Sequence, residues 1–409
     1  MPIDLEMLYE DAMDAIVEDD FDEATELLEQ MRNAAALDPR TLEVQGDLAR
    51  AREEIDEAEG HYQLLLENAP DDPWRGVAHF SLGSLYGMAE KTDLSRHHLS
   101  QAIGYYSAPE FALKQAETLT ALAILEQRAG NFLAAVNSLE QAHQLIEQED
   151  DDDGLDETLA TTTQLLGAAY RMAGKLDLAR ETLSQAMNYF EALEDEVECA
   201  DTLDELGVVE QIQGDYAAAE ELHMKALSIN ESIGFDSGLS VNYGNLTMLN
   251  LHRKNYDRAA HWAYQAHEVD KNLKNENGIA YFHLLMGEIE CHRGQFDQAH
   301  EHLSTCEKLY QSCGDAEDRV AVKGKLAFYY RLRGELEKAS ELNEEVLSAA
   351  EEMGFADGVA ATLDELAHVR LSQGRHDEAK TTWSRSLEIY KELGSTKMIA
   401  EVSEQLSKL

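Results

Sequence analysis

Leu203-Asp204-Glu205-Leu206-Gly207, followed by Gln213-Gly214-Asp215-Tyr216 and then by Ala219 and Ala226, is the stretch that decides the fold. A small residue behind an apolar one lets a second helix come close. Glycine tolerates the left-handed φ with which helices stop, and aspartate suits the turn that follows. Tyr216, Ala219 and Ala226 then recur at helical spacing on a second apolar stripe. The stretch reads as a helix–turn–helix hairpin.

The hairpin is written again further on. His283-Leu284-Leu285-Met286-Gly287 leads to Arg293-Gly294-Gln295-Phe296, Ala299 and Cys306. Lys323-Gly324-Lys325-Leu326-Ala327 leads to Arg333-Gly334-Glu335-Leu336, Ala339 and Val346. Leu363-Asp364-Glu365-Leu366-Ala367 leads to Gln373-Gly374-Arg375-His376, Ala379 and Ser386. The small residue sets the register at Ala12, Gly46, Gly83, Ala123, Gly167, Gly207, Thr247, Gly287, Ala327 and Ala367. The intervals between these positions are 34, 37, 40 and 44, then 40 five times. Helix-favouring composition alone has no such period. Thr247 is the largest residue in the series. One hairpin cannot bury its own apolar face, so stability must come from stacking the hairpins.

These residues resemble the tetratricopeptide repeat family over nearly the whole chain, tightly from about 116 to 390. The family pattern is a Leu-Gly pair on the first helix, a large apolar residue entering the second, and a small alanine midway along it. The resemblance implies an all-α fold, a right-handed α-solenoid of about ten repeats with a C-terminal capping helix. The 40-residue unit is longer than the family's basic unit. It is similar to the arrays of kinesin light chains, animal spindle-orientation adaptors and Rap-type peptide-pheromone receptors, all of them binding proteins. The family's carboxylate-clamp class needs Lys and Asn at set first-helix positions, where this chain has Met13, Asp47 and Ser84. That specialisation is excluded.

The expected organisation is a degenerate N-terminal repeat or cap over 1–40, irregular repeats over 41–148 and an acidic loop at 149–155. Regular repeats then span 156–394, and an amphipathic capping helix 395–409. Gly104-Tyr105-Tyr106-Ser107-Ala108-Pro109-Glu110 reads as a further loop.

Acidic residues outnumber Lys plus Arg by 81 to 33, a net charge of −48. Such a field repels nucleic acid and anionic lipid, so neither nucleic acid nor membrane is expected as a partner. A basic protein or peptide is the electrostatically easier one. No Cys-x-x-Cys pair, no basic apolar leader and no apolar run of 18 residues occurs, which leaves the cytoplasm as the expected location.

Candidate chemistry is sparse. Cys291, His292, His300, His302, Cys306 and Cys313 fall close together, but without the short paired spacing of structural zinc. They are expected to be packing and surface residues, as are His97 and His98, and no metal or cofactor is expected. No phosphate loop, nucleophile elbow or His-Glu-x-x-His is present, so no enzyme is expected. Arg128, Arg171, Arg253, Lys254, Arg293, Arg331 and Arg333 stand near first-helix ends, where they suit the helix dipole and can line one edge of a groove.

In the resembled family the first helices line the concave face. Exposed groove positions are then expected three and six residues before the small residue and one and four after it. In repeats six and ten they include Asp201, Asp204, Gln211, Asp364 and His368. In repeats seven to nine they include Met248, Leu251, Tyr281, Leu284 and Phe328, with Asn245 and Arg331 close by. An apolar patch rimmed by charge suits a protein or peptide segment. The expected function is therefore a non-enzymatic adaptor or scaffold. The alternatives are a peptide-responsive regulator and a non-catalytic subunit of an enzyme complex.

Overall fold

The computed structural model describes residues 4–148, 155–314, 316–352 and 356–409, so the acidic stretch 149–154 lies outside the described residues. Among the described residues there are 21 α-helices and one 3-10 turn, Pro109–Phe111. The chain forms two compact units, Met1–Leu155 and Asp156–Leu409.

The first unit holds four antiparallel pairs. They are α1 (Leu5–Val17) with α2 (Phe21–Ala35), α3 (Pro39–Ala51) with α4 (Ile55–Asn68), α5 (Asp72–Met88) with α6 (Thr92–Tyr105), and α7 (Ala112–Arg128) with α8 (Phe132–Ile146). Gly104 and Tyr105 still belong to α6, so the expected loop is shorter and runs from Tyr106 into the 3-10 turn.

The second unit holds six pairs: α9 (Leu155–Met172) and α10 (Leu176–Leu193); α11 (Glu196–Gln213) and α12 (Tyr216–Ile233); α13 (Asp236–His252) and α14 (Tyr256–Leu273). It continues with α15 (Glu276–His292) and α16 (Phe296–Ser312), α17 (Ala316–Leu332) and α18 (Leu336–Glu352), and α19 (Ala356–Ser372) and α20 (His376–Glu392). A last helix, α21 (Thr396–Ser407), follows. No described helix is long and apolar enough to cross a membrane.

The turn inside each pair is built as its residues require. Gly214 holds φ at +91°, Asp215 N–H bonds back to the Glu210 carbonyl at 3.0 Å, and the Asp215 carboxylate then caps α12 by accepting from Ala218 N–H. Asp19, Glu53, Glu90 and Lys254 hold the same left-handed conformation in the repeats that lack the glycine.

The small residue of each repeat sits under a side chain sixteen positions on. A Cβ on Gly46 would come within 2.2 Å of the Tyr62 ring, and one on Gly207 within 2.6 Å of the His223 ring. The same offset puts Ala263 opposite Thr247, both fully buried. The one large residue of the series therefore faces the smallest partner.

Helix α21 is amphipathic. Val402 is 1 % exposed, and with Met398, Ile399 and Leu406 it packs on the core that holds Trp383 and Tyr390. The segment leading into it returns to the beginning of the second unit. A Cβ on Gly174, in the α9–α10 turn, would lie 1.9 Å from the Leu393 carbonyl oxygen, and the Lys397 ammonium stands 5.3 Å from the centre of the Tyr216 ring. α21 also packs on α11. Leu393 thus touches the first pair of this unit, and α21 itself the second.

Candidate peptide-binding groove

The first helices of the second unit present one face in register. Six residues before the small residue, Asp201, Val241, Tyr281, Ala321 and Ala361 are all exposed. One residue after it, Val208, Met248, Glu288, Phe328 and His368 are half-buried. These rows flank three adjoining cavities.

The largest cavity, about 740 Å³, is walled by Met248, Tyr281, Val320 and Phe328, with Asp357 and Glu365 of α19 at its rim. A second, about 230 Å³, lies between α13, α14 and α15 and shares Tyr281 with the first. A third, about 520 Å³, shares Met248, Glu288 and Lys325 with the first and is closed on its far side by α21.

Five of the seven sequence-predicted groove residues line this space: Asn245, Met248, Leu251, Tyr281 and Phe328. Tyr281 is 39 % exposed, and enclosure by the walls together with Glu288 pushes its phenol up to about 12. Leu251 borders the third cavity but is only 7 % exposed, against the expectation of an open position.

Leu284 departs further. It is 5 % exposed and packs with Leu303, Leu326 and Tyr329, because three residues before the small residue the side chain turns between helices. Asp204 occupies the same position and is likewise spent on structure. It accepts from the ring Nδ1 of His223 at 2.6 Å and from Asn242 Nδ2 at 2.5 Å, all three buried. Asp364, half-buried, accepts from Trp383 Nε1 at 2.6 Å.

Arginines of the expected row are also engaged, while Arg128 is exposed. Arg331 lies 5.3 Å from the centre of the Phe328 ring and is bound through both nitrogens to Glu365 of the next repeat. Arg171 binds Glu205 in the same bidentate way, and Arg253 pairs with Glu220. These cations tie neighbouring helices together instead of lying open along an edge.

In repeat eight the cysteines are buried or half-buried, while His292 and His300 are exposed and stack on neighbouring rings. Cys306 and Cys291 are core residues, His292 stacks 4.8 Å from Tyr256, and His300 stacks 5.6 Å from Tyr329. His302 Nδ1 lies 2.9 Å from His283 Nδ1. The same pair recurs as His79 and His98 at 3.0 Å, so His98 is turned inward and not left on the surface. Among the described residues no three His, Cys, Asp or Glu are arranged to hold a metal ion.

The groove residues that sequence reasoning missed are Glu288, Lys325 and the polar face of α21. Lys325 reaches Glu288 at 2.6 Å across two first helices. Burial works against the Glu288 carboxylate, yet Lys325 outweighs it and holds the group below the usual carboxylate range. Two first-helix positions in neighbouring repeats, 37 residues apart (288 to 325), have no sequence signature of contact, and the return of α21 has none at all.

The family model described as tetratricopeptide repeat matches residues 114–192, 198–272 and 279–352, more than half of the chain. The chain belongs to the tetratricopeptide repeat family. Among solved structures, this tetratricopeptide protein is similar to the apo form of the quorum sensor NprR from B. thuringiensis, with a TM-score of 0.56 and 14 % identity over 85 % of this chain and 97 % of that one. It is also similar to a Rap protein complexed with competence and sporulation factor, with a TM-score of 0.53 and 14 % identity over 91 % of this chain and 99 % of that one. The Rap conjugation gene regulator of plasmid pLS20, in complex with the Phr* peptide, gives 0.51 and 14 % over 85 % and 95 %. At such identity the likeness is one of fold. No curated protein matches the sequence.

Proposed function

We propose that this tetratricopeptide protein is a non-enzymatic binding scaffold that receives a peptide or an extended protein segment in the groove of its second unit. The observation that carries the reading is the continuous cavity walled by Met248, Tyr281, Val320 and Phe328, large enough for several side chains and rimmed by charge. The first helices hold these residues on a rigid frame, which spares a ligand the cost of ordering its site. Acids near the groove are committed to neighbouring side chains, Glu288 to Lys325, Asp270 to Ser240 and Asn275, Asp204 to His223 and Asp364 to Trp383, which supports binding over acid–base chemistry. Two of the similar structures are complexes, one with competence and sporulation factor and one with the Phr* peptide, and they support a peptide as the occupant.

A regulator whose shape answers to its ligand is the second reading. The contacts of α21 with α11 and of Leu393, just before it, with the α9–α10 turn favour it, since a ligand that spreads the groove would act on them.

Tyr281→Asp combined with Phe328→Asp is the test. Both side chains reach the cavity, and neither is fully buried. Affinity capture from an extract of the source cells should lose its specific partner in the double variant while the helical circular dichroism signal is kept. A partner held equally by both proteins would move the site out of this groove. Leu284 is unsuitable for the purpose, because a charge there would unfold the core.

A further inference from the structure

The third cavity differs in charge from the rest of the molecule. Across the chain, acids outnumber Lys plus Arg by 81 to 33, but around this chamber four lysines face three acids; Lys325 pairs with Glu288, Lys397 with Glu401 and Lys408 with Glu404, which leaves Lys254 as the cation in excess. The lysines come from separate places: Lys254 from the α13–α14 turn, Lys325 from α17, and Lys397 and Lys408 from α21. Lys397, Glu401, Glu404, Gln405 and Lys408 share one face of α21, opposite the face that packs on the core.

The imidazoles of His252 and His292 complete the lining. Enclosure holds both below the usual histidine range, with Lys397 and Lys325 adding to the effect at His252. The rings are therefore neutral near pH 7, each with a nitrogen able to donate.

We propose that the chamber between α21 and helices α13, α15 and α17 is the anion-accepting end of the groove, and that it takes a carboxylate of a short peptide whose apolar side chains lie in the adjoining cavity. This rests on the reading of the groove as a peptide site and gives that site a direction. The two spaces share Met248, Glu288 and Lys325, so one ligand spans both. The ligand is anionic at one end and apolar along its body. Asp357 and Thr362 also line the apolar cavity and offer hydrogen-bonding groups that a peptide backbone can use and a simple acyl chain cannot. At about 520 Å³ the chamber has room for a few residues of an extended chain and not for a folded domain. The occupant of this groove is thus not the uniformly basic partner that the net charge of −48 favours elsewhere on the surface.

The test uses the immobilised full-length protein and a pool of random-sequence hexapeptides, half with a free C-terminal carboxylate and half as C-terminal amides, with retention read by mass spectrometry. The wild type is expected to retain apolar free-acid peptides about tenfold over their amides. Lys254→Gln, Lys397→Gln and Lys408→Gln together are expected to bring that ratio to about one, with retention of amides and the helical circular dichroism signal kept. If amides that contain Asp or Glu are retained over those that lack them, the carboxylate comes from a side chain, and the proposal stands with that source. Equal retention of acids and amides by the wild type overturns the anion site and leaves the peptide groove intact. A free-acid preference that survives in the triple variant also overturns it. Retention of no peptide in either form removes the peptide groove itself.

Discussion

The paired histidines show how single side chains are tuned here. His79 and His98, and again His283 and His302, bring ring nitrogens within 3.0 Å, so one ring donates and the other accepts. Burial and the neighbouring imidazoles hold His79 and His283 down at about 4. An unfolded chain would protonate them near 6.5. A folded value below the unfolded one means that this contribution to stability is complete above pH 6.5 and is lost as pH falls through about 4. NMR titration should find both imidazoles neutral at pH 5, and ordinary titration near 6.5 would refute the buried pairing. Glu43, pushed up to about 7 by burial and by Asp47, shifts stability the other way, so the imidazole shifts are the cleaner measurement. At this scale the sequence is only partly legible. The row of exposed positions that includes Tyr281 follows from the repeat, but the inward turn of Leu284 and the pairing of Arg331 with Glu365 depend on helix rotation and on the next repeat.

Helices pair here because a small residue on one meets a large one on the other. The repeat around Thr247 inverts the usual choice and compensates with Ala263. Ala263→Leu alone should overpack this contact and cost about 1–3 kcal/mol, read as a lower denaturation midpoint. Adding Thr247→Gly should return most of it, giving a clear coupling in a double-mutant cycle. Additive effects would show that the two residues do not share one contact. The element pattern is the most legible part of the chain, since each hairpin repeats the same local chemistry of small residue, glycine turn and aromatic entry. Where a repeat departs from glycine, as at Lys254, the turn keeps its left-handed φ of +58°, because the stacking on either side requires it.

At the scale of the whole molecule, a net charge of −48 sets self-repulsion against the fold. Raising ionic strength from about 0.1 M to about 1 M shortens the screening length from about 10 Å to about 3 Å. The melting temperature should therefore rise with sodium chloride. A fall would mean that the ion pairs between helices, such as Arg171 with Glu205, outweigh the repulsion. The return of the α21 segment to the α9–α10 turn has a consequence for folding. A line of repeats frays from its ends, because each unit is coupled only to its neighbours. Here Leu393 closes on Gly174 across 219 residues (174 to 393), a contact of high sequence separation. Both ends of the second unit then open together or not at all. Amide exchange in α10 and α20 should slow and quicken in step in the wild type. Gly174→Ala, which forces a Cβ into the Leu393 carbonyl, should uncouple the two and turn a single cooperative melt into a progressive one.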